Sequence, residues 1–245
     1  MPFDYETSTA PFFRVGGAAP ALINLRQIGD DTFAILDSFE YRQEGALPFV
    51  VDKDVLTSTN LATIPTWLGW FMRRHGRHTP AALMHDLRVR ESLPGPEVPY
   101  GERVVADAAF RDALRRSEVR PVRAALMWTA VTLGTLLSTR RSDPGRFGLL
   151  LSWVVAAVLG IALLGWGIAQ GDPVLILLAL LAPALAGLLW ERQWQAGIIA
   201  GYALPIVLFG SIPPYLAFTF CRFIEWFYVA GEPEERTPAT TWETR

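Results

Sequence analysis

The chain has 245 residues, with 22 Lys and Arg against 24 Asp and Glu and a formal net charge of -2, so it carries no global basic footprint and nucleic acid is not an expected partner. Hydrophobic residues make up 51% and the mean hydropathy is +0.25, high for a chain that folds wholly in water. The single cysteine, Cys221, excludes an internal disulfide framework and a cysteine-based zinc site, and its apolar aromatic surroundings predict a buried, inert thiol.

The first ten residues carry Asp4 and Glu6 and no apolar run, so they do not read as a signal peptide, and membrane insertion is expected to be directed by internal segments. Residues 1–20 read as an N-terminal arm. From there to about Leu56 the pattern is β: Ala21 to Ile28, a turn at Gly29-Asp30-Asp31, Thr32 to Tyr41 with alternating polar positions, and Gly45 to Val51. These predict hairpins of one small antiparallel sheet.

The pattern then becomes helical. Thr79-Pro80 offers an N-cap hydroxyl followed by proline at the first helical position, and the helix ends before Pro94-Gly95-Pro96. A second helix runs from about Glu102 to Arg116, with Ala106, Phe110 and Ala113 or Leu114 as its apolar stripe. A third starts at Pro121 and covers Ala124 to about Leu137. Its flanking arginines suit a core position or one against anionic lipid headgroups. Residues 21–138 thus form a soluble α+β domain.

Apolar residues concentrate after Phe147. No charge falls between Phe147 and Gly171, which covers the roughly 20 residues a helix needs to cross a bilayer. Gly171-Asp172-Pro173 predicts a tight turn, and a second run extends from Pro173 to Trp190 with Pro183 inside it. Glu191-Arg192-Gln193 marks a water interface, with Trp190 and Trp194 as belt residues. Ala196 to Phe209 reads as a third span, ended by Gly210-Ser211-Ile212-Pro213-Pro214. Tyr215 to Val229 reads first as an interfacial helix, with Arg222 and Glu225 spaced to pair, and second as a short fourth span. The expected fold is therefore α+β, a small antiparallel β-sheet and three helices, followed by an all-α transmembrane hairpin bundle of three helices (four in the second reading) over 147–229 and a disordered tail, 230–245. Arg115, Arg116, Arg120, Arg123, Arg140, Arg141 and Arg146 precede the first span, so the positive-inside bias predicts a cytoplasmic N-terminal domain on a multi-pass inner (cell) membrane protein, with the lipid bilayer as partner.

Three polar residues stand out in the helices. His85 and Asp86 lie in an otherwise apolar helix, and Asp107 lies in the apolar part of the next. If the two helices are antiparallel, His85 and Asp107 meet, and a histidine held by a carboxylate can act as a general base on water. Asp86 points about 100° away around the helix, toward a different task such as binding a hard cation through oxygen. The same pair is equally the pattern of a buried hydrogen bond that fixes two helices. His75 and His78, in the basic stretch Arg73 to His78, read as a solvated or phosphate-facing surface. The chain has no Gly-Lys-Ser/Thr phosphate loop and no GxSxG elbow.

The ordered series Thr59-Asn60-Leu61-Ala62-Thr63-Ile64-Pro65, then Ala81-Ala82-Leu83-Met84-His85-Asp86, then Arg103-Val104-Val105-Ala106-Asp107-Ala108-Ala109-Phe110 resembles the phage-associated family called domain of unknown function 1353 over about residues 21–137. Its motifs are in turn similar to the catalytic helices of secretory and parvoviral phospholipases. That resemblance implies His85 as the base that activates water, Asp107 as its orienting partner, Asp86 as a calcium ligand, and a lipid substrate. Asn60 stands where the family has Asp, and implies a weaker cation ligand through its amide oxygen. Thr63 stands for the family's Ser and Val89 for its Tyr. Two readings follow: a membrane-tethered His/Asp hydrolase, or a non-enzymatic phage or prophage membrane protein for lysis, envelope interference or assembly, in which the His85/Asp107 contact is structural.

Overall fold

The computed structural model describes residues 11–29, 32–43, 45, 47–60, 76–90 and 98–229. Leu61 to Pro65 of the family motif, His75, the Pro94-Gly95-Pro96 segment and the 230–245 tail lie outside the described residues.

Five three-residue strands come first: β1 (Phe12–Arg14), β2 (Leu25–Gln27), β3 (Phe33–Ile35), β4 (Phe39–Tyr41) and β5 (Phe49–Val51). They form two antiparallel sheets rather than one, β1-β4-β5 and β2-β3. The stretch Thr32 to Tyr41 is divided between them, because Leu36 to Ser38 leave the ladder. Phe12–Arg14, inside the segment read as an arm, is a strand paired with β4 in the register Phe12 to Tyr41. Burial explains this: Phe12, Phe39 and Tyr41 are all buried, with Phe12 edge-on to Phe39 at 5.8 Å. On the opposite side of β4, Glu40 is buried beside Arg42 as an ion pair and accepts from the Gly16 N–H at 3.3 Å, so its charge is compensated.

Helix α1 (Thr79–Arg90) packs against β5 and against α2 (Tyr100–Arg116), and α2 in turn packs against α3 (Pro121–Ser142). Leu83, Met84 and Leu87 of α1 and Phe110, Ala113 and Leu114 of α2 are buried with Phe39, Tyr41 and Val51 in one core. The α2 stripe lies where the helical period places it. Glu102 in its first turn and Arg115 and Arg116 in its last complement the helix dipole. Glu118 ends the helix in the left-handed region (φ 53°), with Val119 N–H bonded back to the Leu114 carbonyl at 3.1 Å.

The apolar part comprises α4 (Pro144–Gln170), α5 (Pro173–Gly187), a 3-10 turn (Leu188–Gln193) and α6 (Trp194–Val229). The α4–α5 turn forms as its residues predict. Gly171 takes φ 65°, Asp172 N–H bonds the Gly167 carbonyl at 2.9 Å, and the Asp172 carboxylate caps α5 by accepting from Val174 N–H at 2.8 Å. At Glu191 (φ 49°, ψ -115°) the chain reverses, and α6 returns along α5. The two backbones touch where side chains are absent. A Cβ added at Gly197 would lie 2.7 Å from the Gly187 carbonyl oxygen, and one at Gly201 would lie 2.6 Å from Pro183 Cβ. Tyr202 OH also donates to the Leu180 carbonyl at 2.7 Å. Small residues that let backbones approach are the usual device of helix pairs in lipid.

Two stretches, Pro144–Gln170 and Pro173–Val207, are long and apolar enough to cross a membrane by length and composition. Only 22% of the most apolar window of each is buried, whereas the core helix of a water-soluble protein would be mostly covered. The second stretch is folded at Glu191, so it comprises two antiparallel segments.

Four sequence expectations change here. Gly210 to Pro214 does not interrupt the chain: α6 is one helix of 36 residues, about 54 Å long. Pro213 and Pro214 each lack the N–H that would bond the carbonyl four residues earlier, a loss that helices packed in lipid tolerate. Trp190 is not a belt residue. It is buried against Trp153, ring centroids 5.0 Å apart, in a second core that Leu136, Leu150, Ala196 and Ala200 complete. Cys221 is exposed on α6 rather than buried. Arg222 lies 6.0 Å from the Phe218 ring centroid, and no ion pair with Glu225 occurs among the described residues.

Candidate functional site

His85 sits on the second turn of α1 and Asp107 on the second turn of α2. The structure brings their side chains together: His85 Nε2 lies 2.8 Å from Asp107 Oδ1. Asp107 is fully buried, while the His85 side chain keeps 15% of its surface exposed. Phe110, one turn after Asp107, covers the imidazole from the side at 5.2 Å between ring centroids. With Asp107 as a carboxylate, Nε2 is the protonated nitrogen and Nδ1 carries the lone pair. Chemically, such a contact can orient an imidazole to act as a base, and it can also serve as a hydrogen bond that fixes two helices.

The second carboxylate oxygen is held from an unexpected direction. Gln193, the last residue of the turn between α5 and α6, donates from Nε2 to Asp107 Oδ2 at 3.0 Å. The same amide nitrogen reaches Thr132 Oγ1 of α3 at 3.4 Å, and Gln193 Oε1 accepts from Tyr100 OH at 3.4 Å. Both oxygens of a carboxylate with no exposed surface are therefore satisfied, which is what its burial requires. Tyr100 is half-buried, and burial pushes its hydroxyl pKa upward. The Arg146 guanidinium stacks on its ring at 3.9 Å and pairs with Glu191 at 2.6 Å. Polar contacts thus run from α1 through α2 and α3 to the ends of α4 and α5.

Asp86 faces away from this network, as the 100° step predicts. It accepts from Thr59 Oγ1 at 3.2 Å. Thr59 exchanges both backbone hydrogen bonds with Phe33, at 2.8 and 2.9 Å, so Asp86 ties α1 to β3. Asn60 follows Thr59 and is exposed. Among the described residues there is no group of three or more His, Cys, Asp or Glu side chains that could hold a metal ion. A cation at Asp86 would therefore depend on neutral oxygens such as that of Asn60 and on water.

His78 is buried, at 2% exposure, and is not part of a solvated basic face. Its imidazole packs under Gly76, whose φ of 150° leaves the ring 3.4 Å from where a Cβ would lie. Arg77 beside it turns outward to pair with Glu118 at 3.1 Å.

Gln193, Thr132 and Tyr100 are the residues that sequence reasoning missed. Gln193 is 86 positions from Asp107. Its one signal was a neutral amide inside a segment that reads as an exposed charged loop.

Residues 33–131 match the model of the family described as Protein of unknown function (DUF1353), a span that contains Asn60, His85, Asp86 and Asp107 and excludes Gln193. No curated protein and no solved structure matches the chain. Over residues 33–131, then, this chain carries a domain of the DUF1353 family, joined to an apolar helical region that the family model does not cover.

Proposed function

We propose that the chain is a membrane-anchored hydrolase of phage or prophage type, with His85 as general base, Asp107 as the residue that orients it, and a lipid ester as substrate. The observation that carries this reading is the 2.8 Å contact between a partly exposed imidazole and a fully buried carboxylate whose other oxygen is already occupied. Such a carboxylate can orient the ring and stabilise it when it takes a proton. The apolar helices supply the second support, because they would hold the domain against a bilayer. Arg140 and Arg141 in the last turn of α3, Arg146 in the first turn of α4 and Arg192 in the return turn support, by the positive-inside bias, a cytoplasmic DUF1353 domain with three spans in the bundle. Asp86, with Asn60, is the proposed calcium position.

The test is phospholipid release by the full chain in vesicles, with and without calcium, for the native protein, His85→Ala and Asp107→Asn. We expect His85→Ala to lower release by about 10²- to 10⁴-fold. Release that is absent, or equal in native protein and His85→Ala, overturns the hydrolase.

A second reading is favoured by the Gln193 contact itself. Asp107 is held from both sides, as a structural clasp between the DUF1353 domain and the apolar region would be. The chain would then be a non-enzymatic phage membrane protein for lysis, envelope interference or assembly. Membrane-potential recording in a bacterial host expressing His85→Ala tests it. Depolarisation that survives this substitution supports the second reading, and a potential unchanged by the native chain removes its lysis branch.

A further inference from the structure

A cavity of about 300 Å³ lies where α2, α3 and the return turn meet. That is at the lower end of the range for small-molecule sites, about 300–1,000 Å³. Its lining includes Arg111, Arg115, Arg192, Asp112, Trp128 and Gln193. Three guanidinium groups therefore face a space that contains one carboxylate. That carboxylate is already committed, since Asp112 accepts from Tyr41 OH at 2.7 Å and lies 3.7 Å from Arg116. The nearby Glu191 is held by Arg146. Among the described residues, no carboxylate pairs with Arg111, Arg115 or Arg192.

Arg111 stacks over Trp128 at 3.9 Å, which fixes the plane of its guanidinium, while Arg115 and Arg192 are exposed at the rim. Unpaired like charges gathered round one concavity repel each other and gain from an anion between them. Burial and Arg115 together lower the Arg111 pKa, the same crowding seen from one member. Guanidinium forks match phosphate oxygens in geometry as well as in charge. The level of the cavity indicates the source of the phosphate. Arg192 and Gln193 lie between two apolar helices, and the exposed ring of Trp194 follows directly. With α4 and α5 in a bilayer, this is headgroup depth.

We propose that this cavity binds the phosphate of an anionic lipid headgroup, held by Arg111, Arg115 and Arg192. The proposal rests on the membrane placement of the apolar helices and is independent of any chemistry at His85.

Native mass spectrometry of the full chain in detergent, titrated with phosphatidylglycerol, phosphatidylcholine or glycerol phosphate, tests it. We expect retention of phosphatidylglycerol over phosphatidylcholine. Affinity should fall at least about tenfold in Arg115→Gln/Arg192→Gln, two exposed positions whose loss leaves the core intact. Arg140→Gln/Arg141→Gln removes the same charge from the exposed end of α3 and should leave binding within about twofold of native. Equal binding by the two double variants overturns the site. Glycerol phosphate held as tightly as phosphatidylglycerol overturns the lipid as its source. Alkaline extraction of native membranes is read separately. A chain released into the supernatant overturns the placement, whereas a retained chain with unselective lipid binding overturns the cavity alone.

Discussion

Gln193 and Asp107 stand 86 residues apart, yet the amide of one donates to the buried carboxylate of the other at 3.0 Å. The bond joins the turn that closes the α5–α6 hairpin to the centre of the DUF1353 domain. It makes the position of the apolar helices a condition for satisfying the carboxylate that contacts His85.

Gln193→Leu should destabilise the whole chain by about 1–3 kcal/mol, because Asp107 Oδ2 would lose its donor in a site closed to water. Gln193→Glu should cost more, since it sets a second carboxylate against the first. Thermal unfolding of the full chain in detergent checks both. Indistinguishable melting curves for native protein and Gln193→Glu would show that the contact contributes nothing to stability.

The close approach of α5 and α6 leads to a second expectation. Gly197→Ala places a methyl 2.7 Å from the Gly187 carbonyl oxygen and 2.9 Å from the Trp190 ring. The backbone cannot yield as a flexible side chain would, so the helices must separate, at a cost of about 1–3 kcal/mol. Gly134→Ala in α3 meets nothing within 4 Å and should be neutral or stabilising by up to about 1 kcal/mol. Melting temperatures that move in the same direction for the two variants would contradict the packing described.

Tyr41 gives the fold a pH dependence. Its hydroxyl is buried and donates to Asp112, and both effects, burial first, raise its pKa above the ordinary value of 10.0. An acid whose folded pKa stands above its unfolded one holds its proton more tightly when folded. The contribution to stability is therefore complete below about pH 10 and is lost as pH rises through the folded value. Tyr41→Phe should lower stability by about 1–2 kcal/mol at neutral pH and remove this part of the alkaline loss. Unfolding midpoints measured from about pH 8 to about pH 11, across the approach to tyrosine titration, check the slope. The native protein should weaken faster than the variant toward the alkaline end.

Local signals carried much of the fold. The α4–α5 turn was legible because Gly, Asp and Pro each have a conformational reason to stand at that turn, and all three act within a few residues. The α2 stripe was legible because a helical period of 3.6 residues is a property of the segment alone. The His85–Asp107 contact could be read as an expectation for the same reason: each residue is polar on an apolar face, and two adjacent helices bring such faces together. Interruption of α6 at Gly210 to Pro214 was the natural expectation from composition, and it failed because proline removes one donor without forbidding the helix on either side of it.

Other features depend on where distant segments meet. Trp190 had the composition of an interface residue, and only the reversal at Glu191 turned it inward onto Trp153. His78 sat in a basic stretch, and only the packing around Gly76 buried it. By itself the sequence determined that an α+β domain precedes helices apolar enough for a membrane, because hydropathy and periodicity are summed along the chain. The tertiary structure alone decided that Gln193 closes the carboxylate site and that three arginines share one cavity. Hydrogen bonds and charge clusters are set by distance in space, and nothing in the spacing of residues 107 and 193 encodes a separation of 3.0 Å.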